Sequence, residues 1–324
     1  MRVLVAEPNE MRRSQAAERL KKVAGVNVMA TCADLSNAFN TIEHRPPHLV
    51  LYANEFTRMQ EFEAMETLCR CLSVRWTTFG LGTSTLDRRD GGVDLSADPQ
   101  SVHSALRAIM QGKAAASREA KAGLFQSPFH ARSDRIVLIG SSTGGIDALL
   151  EVLGSFPVDC PPTLIVQHTG AAFSAGLARL LDGRVEPKVV EARDGEPLQP
   201  GVVMIAPGAD RHLVLDSQRG LRCRLTNGEK VSGHRPSVDA LFQSAKPIAG
   251  RTTAVILTGM GKDGAHGLHT LKRAGAATIG QDKATSLVYG MPGAAAELNA
   301  LQQVLPLPAI GPAILKSSQR DIRQ

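Results

Sequence analysis

Aromatic residues make up only 4% of this 324-residue chain, with one Trp and two Tyr. A row of exposed rings for stacking single-stranded nucleic acid is therefore a poor expectation. Cysteine is equally sparse. Cys32, Cys69, Cys71, Cys160 and Cys223 are odd in number and scattered, which argues for free thiols rather than a disulfide framework. Cys69 and Cys71 form C-x-C with no second pair at zinc spacing, so no metal is expected. Residues 1–8 hold no apolar run long enough for an export signal, and no segment reaches the ~20 apolar residues of a membrane span. A soluble, cytoplasmic protein without membrane insertion is the expectation. Charge of one sign is not concentrated either. The net charge is +6, yet residues 1–110 carry 13 Lys/Arg against 13 Asp/Glu, and residues 135–324 carry 20 against 16. With no basic arm and no DNA-binding motif, nucleic acid is not an expected partner.

What is present is an ordinary globular composition, 43% hydrophobic, on a chain long enough for two domains. Residues 1–110 alternate strand and helix patterns: strands at Arg2–Ala6, Val26–Ala30 and His48–Ala53, helices at Glu10–Val23, Leu35–Glu43 and Phe62–Leu72. From 111 to 134 the pattern stops. That stretch is rich in Ala, Ser, Gly and charge and reads as a linker, with 114–122 partly helical. A second α/β unit spans 135–324. Its strands Ile136–Ile139, Thr163–Val166, Val202–Ile205 and Ala254–Leu257 are nearly continuous apolar runs, as strands buried on both faces should be. Helical stretches at Ile146–Leu153, Ser174–Leu181 and Gly267–Ala274 fall between them. The fold class is α/β, with two doubly wound parallel-sheet domains, flavodoxin-like at 1–110 and Rossmann-like at 135–324.

Directly after Ile136–Ile139 comes Gly140-Ser141-Ser142-Thr143-Gly144-Gly145, then a helix. Neither G-x-G-x-x-G nor a Gly-Lys-Ser/Thr ending is present, so dinucleotide and P-loop fingerprints do not apply and no cofactor is expected. The turn fits G-x-S-x-G with Ser142 central, a nucleophile elbow. On the pentapeptide alone, a nucleophile, a phosphate loop and a plain helix cap stand level. His168 leaves the carboxyl end of the strand Thr163–Val166, where catalytic groups of open α/β sheets collect. Thr258-Gly259-Met260-Gly261-Lys262-Asp263-Gly264 follows a third buried strand and exposes a carboxylate among glycines. An isolated histidine or turn aspartate is usually structural, but here three strand ends supply Ser, His and Asp together, the members of a hydrolytic triad. Their chain order differs from the Ser, Asp, His order of α/β-hydrolases, so an ordinary lipase or esterase fold is not expected.

GSSTGG at Gly140–Gly145, QH at Gln167-His168, IAPG at Ile205–Gly208, HRPSVD at His234–Asp239, LTGMGKDG at Leu257–Gly264 and GMP at Gly290–Pro292 resemble the chemotaxis protein-glutamate methylesterase family, CheB. The resemblance covers 135–324 in order. It implies hydrolysis of glutamate methyl esters, with deamidation of glutamines, on the cytoplasmic helices of methylated chemoreceptors. It makes Ser142 the nucleophile in preference to Ser141, His168 the base and Asp263 its orienting partner, with Met260 and Thr143 amides at the oxyanion and Arg235 shaping the substrate groove. His234 and Ser237 belong to a family motif near the site without being read as catalytic. The competing reading is a catalytically silent receptor-binding regulatory module.

Residues 1–110 resemble a response-regulator receiver that has lost its parts. Glu7-Pro8 stands where receivers have an acidic pair, Ala53 where the phosphoacceptor aspartate belongs, and Asp98 where a lysine reads the phosphate. Glu55 lies two residues beyond Ala53, and on an extended chain it need not share the same pocket. Magnesium binding and phosphoryl transfer lack their ligands. The domain is read as a pseudo-receiver that gates the esterase, docks a chemosensory kinase or adaptor, or is a retained scaffold.

Overall fold

Apolar strands alternate with amphipathic helices throughout the computed structural model, which describes residues 1–59, 61–82, 92–111, 135–169, 173–208, 210–218 and 220–318. Two compact units result, residues 1–119 and 120–324. The expected linker lies outside the described residues apart from Gln111, which closes a helix.

The first unit runs β1 (Arg2–Ala6), α1 (Glu10–Lys21), β2 (Asn27–Cys32), α2 (Leu35–His44), β3 (Leu49–Ala53), α3 (Phe62–Cys71), β4 (Arg75–Gly80), β5 (Val93–Asp94) and α4 (Pro99–Gln111). Its five strands pair in parallel in the order β2-β1-β3-β4-β5. That is the flavodoxin-like order, with β1 and β3 flanking the point where the winding reverses. β1 and β3 are buried almost end to end because helices cover both faces. β4, RWTTFG, lacks an apolar run, and its polar residues hid it from the sequence pattern. Three of the scarce aromatics pack together here. Tyr52, Phe62 and Trp76 meet edge to face, with Phe62 4.9 Å from Tyr52 and 5.0 Å from Trp76.

The second unit runs β6 (Ile136–Ser141), α5 (Gly145–Leu153), β7 (Thr163–Gln167), α6 (Ser174–Asp182), β8 (Lys188–Glu191), β9 (Val202–Ile205), β10 (His212–Asp216), β11 (Arg222–Thr226), α7 (Val238–Ser244), β12 (Thr252–Ile256), α8 (Ala265–Arg273), β13 (Ala277–Gln281), α9 (Met291–Glu297), β14 (Gln303–Leu305) and α10 (Leu307–Ser318). Seven parallel strands lie in the order β14-β13-β12-β6-β7-β9-β8. β10 and β11 form a separate antiparallel hairpin. Leu213, Leu215 and Cys223 of that hairpin share one core with Val238, Leu241 and Phe242 of α7. The hairpin thus seats α7, which matters below. β6 lies between β7 and β12, so the chain winds outward from it in both directions. A crevice opens at the carboxyl ends of these strands. No helix among the described residues is long and apolar enough to cross a membrane.

Candidate active site

Ser142, Thr143, His168, Met260 and Asp263 lie just past the carboxyl ends of the three strands around that switch point, whereas Arg235 lies in the loop between β11 and α7. Ser141 ends β6 in register with Gln167, which ends β7. The His168 amide also donates to the Ser141 carbonyl at 3.0 Å. Ser142 and His168 therefore leave neighbouring strands side by side. The two serines are not equivalent. Ser141 is fully buried and its hydroxyl donates to Gln167 Oε1 at 2.6 Å, while Gln167 Nε2 holds the Ser142 carbonyl at 2.9 Å. Ser141 is a structural peg. Ser142 is the residue that the turn carries onto the amino end of α5, where the helix dipole favours negative charge.

The turn works only with glycine at two close approaches. Gly144 has a φ of +78°, and a Cβ there would lie 2.7 Å from Leu287 Cβ. A Cβ on Gly259 would lie 2.7 Å from Ser142 Cβ and 2.4 Å from Met291 Sδ. The loop after β12 thus lies directly against Ser142, and the Ser142 amide donates to the Thr258 carbonyl at 3.0 Å. Residues 288–291 hold this loop from behind. The Gly259 amide donates to the Val288 carbonyl, and the Gly259 carbonyl accepts from Gly290 and Met291. The Gly-Met-Pro motif is therefore a clamp on the loop. Thr258 Oγ1 ties the same loop to the Thr143 carbonyl at 2.9 Å. The Met260 side chain is 73% exposed, so any catalytic part falls to its backbone.

Asp263 is 1% exposed and entirely enclosed by donors. Its Oδ2 lies 2.9 Å from His168 Nε2 and accepts from the Val238 amide at 2.8 Å. Its Oδ1 accepts from Ser237 Oγ at 2.8 Å and the Asp239 amide at 3.0 Å. Burial works to raise the carboxyl pKa. The His168 hydrogen bond and the amides of Asp239 and Val238 outweigh it and hold the pKa below the usual aspartate value. An ionised Asp263 makes Nε2 the protonated nitrogen of His168, which leaves Nδ1 as the basic one. The arrangement can deprotonate a nearby hydroxyl and stabilise the imidazolium that results.

The CheB methylesterase family matches residues 137–314, a span that holds all of these groups. The chain belongs to the CheB methylesterase family. It is 39% identical to a protein-glutamate methylesterase/protein-glutamine glutaminase 1 of Caulobacter vibrioides, over 97% of both chains. It is 37% identical to the protein-glutamate methylesterase/protein-glutamine glutaminase of Agrobacterium fabrum, over 97% of this chain and 96% of that one. Among solved structures it is similar to the CheB methylesterase catalytic domain of Thermotoga maritima. That match has a TM-score of 0.55 and 40% identity, covering 56% of this chain and 97% of the other.

Within this CheB-family chain, strand-end reasoning missed the loop between β11 and α7. Ser237 caps α7, accepting from the Ala240 amide at 3.3 Å while it donates to Asp263. His212 of the hairpin accepts from the Ser237 amide at 3.3 Å and lies 2.9 Å from the Glu229 carbonyl through Nε2. Asp239 accepts from the Gly267 amide at 2.6 Å and from Ser232 Oγ at 2.7 Å, joining α7 to α8 and to its own loop. The HRPSVD motif therefore builds the cradle for Asp263. The His234 ring lies parallel to that of His168, with centroids 3.8 Å apart and planes 5° apart. Arg235, expected to shape the substrate groove, donates from Nη1 to the Gly228 carbonyl at 2.7 Å.

The first unit of the CheB-family chain has its own strand-end residues, Glu7, Ala53 and Glu55. The backbone turns after Ala53, and Glu55 has helical φ and ψ of −60° and −37° rather than an extended conformation. The Glu55 carboxylate therefore reaches the Arg12 guanidinium, which also donates to Glu7 Oε1 at 3.0 and 3.1 Å. Glu7 and Glu55 share one cation, Glu7 from a buried position and Glu55 from an exposed one. Glu7 is 2% exposed and the Ala53 methyl is buried beside it at the end of the sheet. These residues do not fit a divalent metal, because a guanidinium already takes the glutamates and Ala53 adds no ligand. Asp98, aligned with the receiver lysine, caps α4 instead, accepting from the Gln100 and Ser101 amides at 3.0 Å. Its carboxylate has a local structural reason to be there.

Proposed function

We propose that this protein hydrolyses glutamate methyl esters on the cytoplasmic helices of methylated chemoreceptors, with glutamine deamidation as the amide counterpart of the same chemistry. Ser142 Oγ attacks the ester carbonyl while His168 Nδ1 takes its proton. The tetrahedral oxyanion is met by the Thr143 and Met260 amides at the amino end of α5 and in the loop after β12. His168 returns the proton to the departing methoxide, methanol leaves and a glutamyl-Ser142 ester remains. Water, deprotonated by His168, cleaves that ester to the free glutamate. Asp263 keeps its negative charge throughout and orients the imidazole. Arg235, anchored to its own loop, shapes the groove without entering the chemistry.

The observation that carries this reading is the buried carboxylate and imidazole pair, Asp263 with His168, set beside the G-x-S-x-G turn. A non-catalytic binding module has no use for a desolvated base aimed along one hydrogen bond. The reading assigns residues 135–324 to the esterase, 111–134 to a linker and 1–110 to a pseudo-receiver whose partner is a chemosensory kinase or adaptor. Control of the esterase does not pass through receiver phosphorylation, since Arg12 fills the acidic crevice and Ala53 cannot accept phosphate. The test is methanol release from methylated receptor membranes by the wild type and Ser142→Ala, with a fluorophosphonate probe reporting the serine directly. Release undiminished in Ser142→Ala would refute the assignment.

A further inference from the structure

A serine hydrolase of this kind sets a demand on the ring plane of His168. Nε2 must face Asp263 while Nδ1 faces the Ser142 side, and both hold only for one orientation of the ring plane. The last torsion of a histidine side chain is broad and poorly restricted by its own rotamer preferences. A hydrogen bond at Nε2 fixes one atom of a ring, and a flat contact on its face fixes its plane.

The loop carrying His234 is built as a rigid mount. Val231 and His234 exchange both backbone hydrogen bonds, at 3.1 and 3.0 Å. Between them Ser232 and Gly233 have φ of 52° and 83°, the paired left-handed conformation of a tight two-residue hairpin turn. Side chains anchor the turn on both sides, Ser232 to Asp239 and Arg235 to the Gly228 carbonyl. This mount holds the His234 ring flat against His168, 3.8 Å away and 5° from parallel.

We propose that His234 is a positioning residue of the esterase, an aromatic platform that fixes the ring plane of His168. The proposal rests on the triad reading above. The charged groups that act on His234 are His168 on the β7 side, Asp263 on the β12 side and Lys230 on its own loop. Burial first, then His168, push its pKa down, with Lys230 adding to this and Asp263 opposing it. At neutral pH the platform is uncharged. When His168 takes the serine proton, the new imidazolium thus lies over a neutral π face, a favourable contact. A protonated His234 would instead set two cations face to face.

The test compares full-length wild type, His234→Ala and His234→Phe for methanol release, fluorophosphonate labelling of Ser142 and melting temperature, across pH. The alanine variant should lose about tenfold to a hundredfold in kcat, the usual cost of a misplaced catalytic group, with little change in KM. Phenylalanine keeps a flat ring and should recover to within about threefold of wild type. On the acid side the wild-type limb should steepen from one proton toward two below the ordinary histidine range, as His234 also charges, whereas the phenylalanine limb stays at one. An alanine variant close to wild type in kcat, a loss carried by KM, or a phenylalanine variant no better than alanine would each overturn the proposal. Wild-type Ser142 that fails to label overturns the triad reading and the platform with it. Labelling with no difference among the three proteins overturns the platform alone.

Discussion

At the carboxyl edge of the seven-stranded sheet a buried carboxylate is held ionised by an imidazole, a hydroxyl and two amides, on the strand end next to the one that carries Ser142. At the corresponding edge of the five-stranded sheet two carboxylates are joined by Arg12. The architecture is the same in both, parallel strands wound in two directions from a switch point. The contrast teaches that the crevice is a property of the fold, while its use depends on whether the charges inside it are satisfied internally. In the second unit Asp263 is hydrogen-bonded to His168, the pair to which the proposed reaction assigns the base and its orienting acid. In the first, Glu7 and Glu55 spend their charge on a neighbour from α1.

The sharpest way to break this comparison is at the serines. Ser142→Ala should lower methanol release by about 10⁴-fold or more, whereas Ser141→Ala should retain most activity and lose about 1 kcal/mol of stability with its bond to Gln167. Asp263→Asn should also be severely impaired, and the double variant with Ser142→Ala no worse than Ser142→Ala alone, because triad members act as a unit. Equal losses at Ser141 and Ser142, or multiplying losses in the double variant, would remove the active member of the pair of crevices.

Gly259→Ala tests how tightly the active crevice is built. The added methyl meets Ser142 and Met291, so urea unfolding should show a loss of about 1–3 kcal/mol, the range for overpacking, together with a reduced rate of serine labelling. Arg12→Met tests the satisfied crevice. Removing the guanidinium strands the buried Glu7 carboxylate and should cost the first unit about 2 kcal/mol, within the range for a hydrogen bond to a charged group. Esterase activity should hardly change. A large loss of activity in Arg12→Met would show that the two crevices communicate.

The smallest expected effect is none. A small-molecule phosphodonor with magnesium should neither label residues 1–110 nor raise methanol release. Activation would reinstate the first unit as a receiver. If that unit restrains the esterase by another route, removing residues 1–134 raises the rate without any signal, and equal rates dismiss the restraint while leaving the phosphodonor result intact.

Much of the active crevice was legible because Ser142, His168 and Asp263 each follow an apolar run long enough to read as a buried strand. The alternation of those runs with helices also revealed the two α/β units. What stayed hidden came from elements without such a run. Ser237 and His234 were placed near the site by the family motif and not by the strand pattern, because they sit on a loop after RCRLT, which has no apolar run, and their contacts depend on where α7 packs. β13, ATIGQ, is interrupted by a glycine that lets Leu301 approach. The contact of Glu55 with Arg12 stayed open because spacing along an extended chain does not apply where the backbone turns. Such contacts depend on the tertiary path, which local periodicity does not encode.

The bond from His168 to Asp263 spans 95 residues of sequence, and the Gly-Met-Pro clamp on the loop beside Ser142 lies further on still. A chain emerging from the ribosome therefore carries Ser142, the proposed nucleophile, long before it carries Asp263, the proposed orienting acid. Until residue 291 is free to dock, the serine is an ordinary alcohol on an unfinished sheet, harmless to any ester it meets during synthesis.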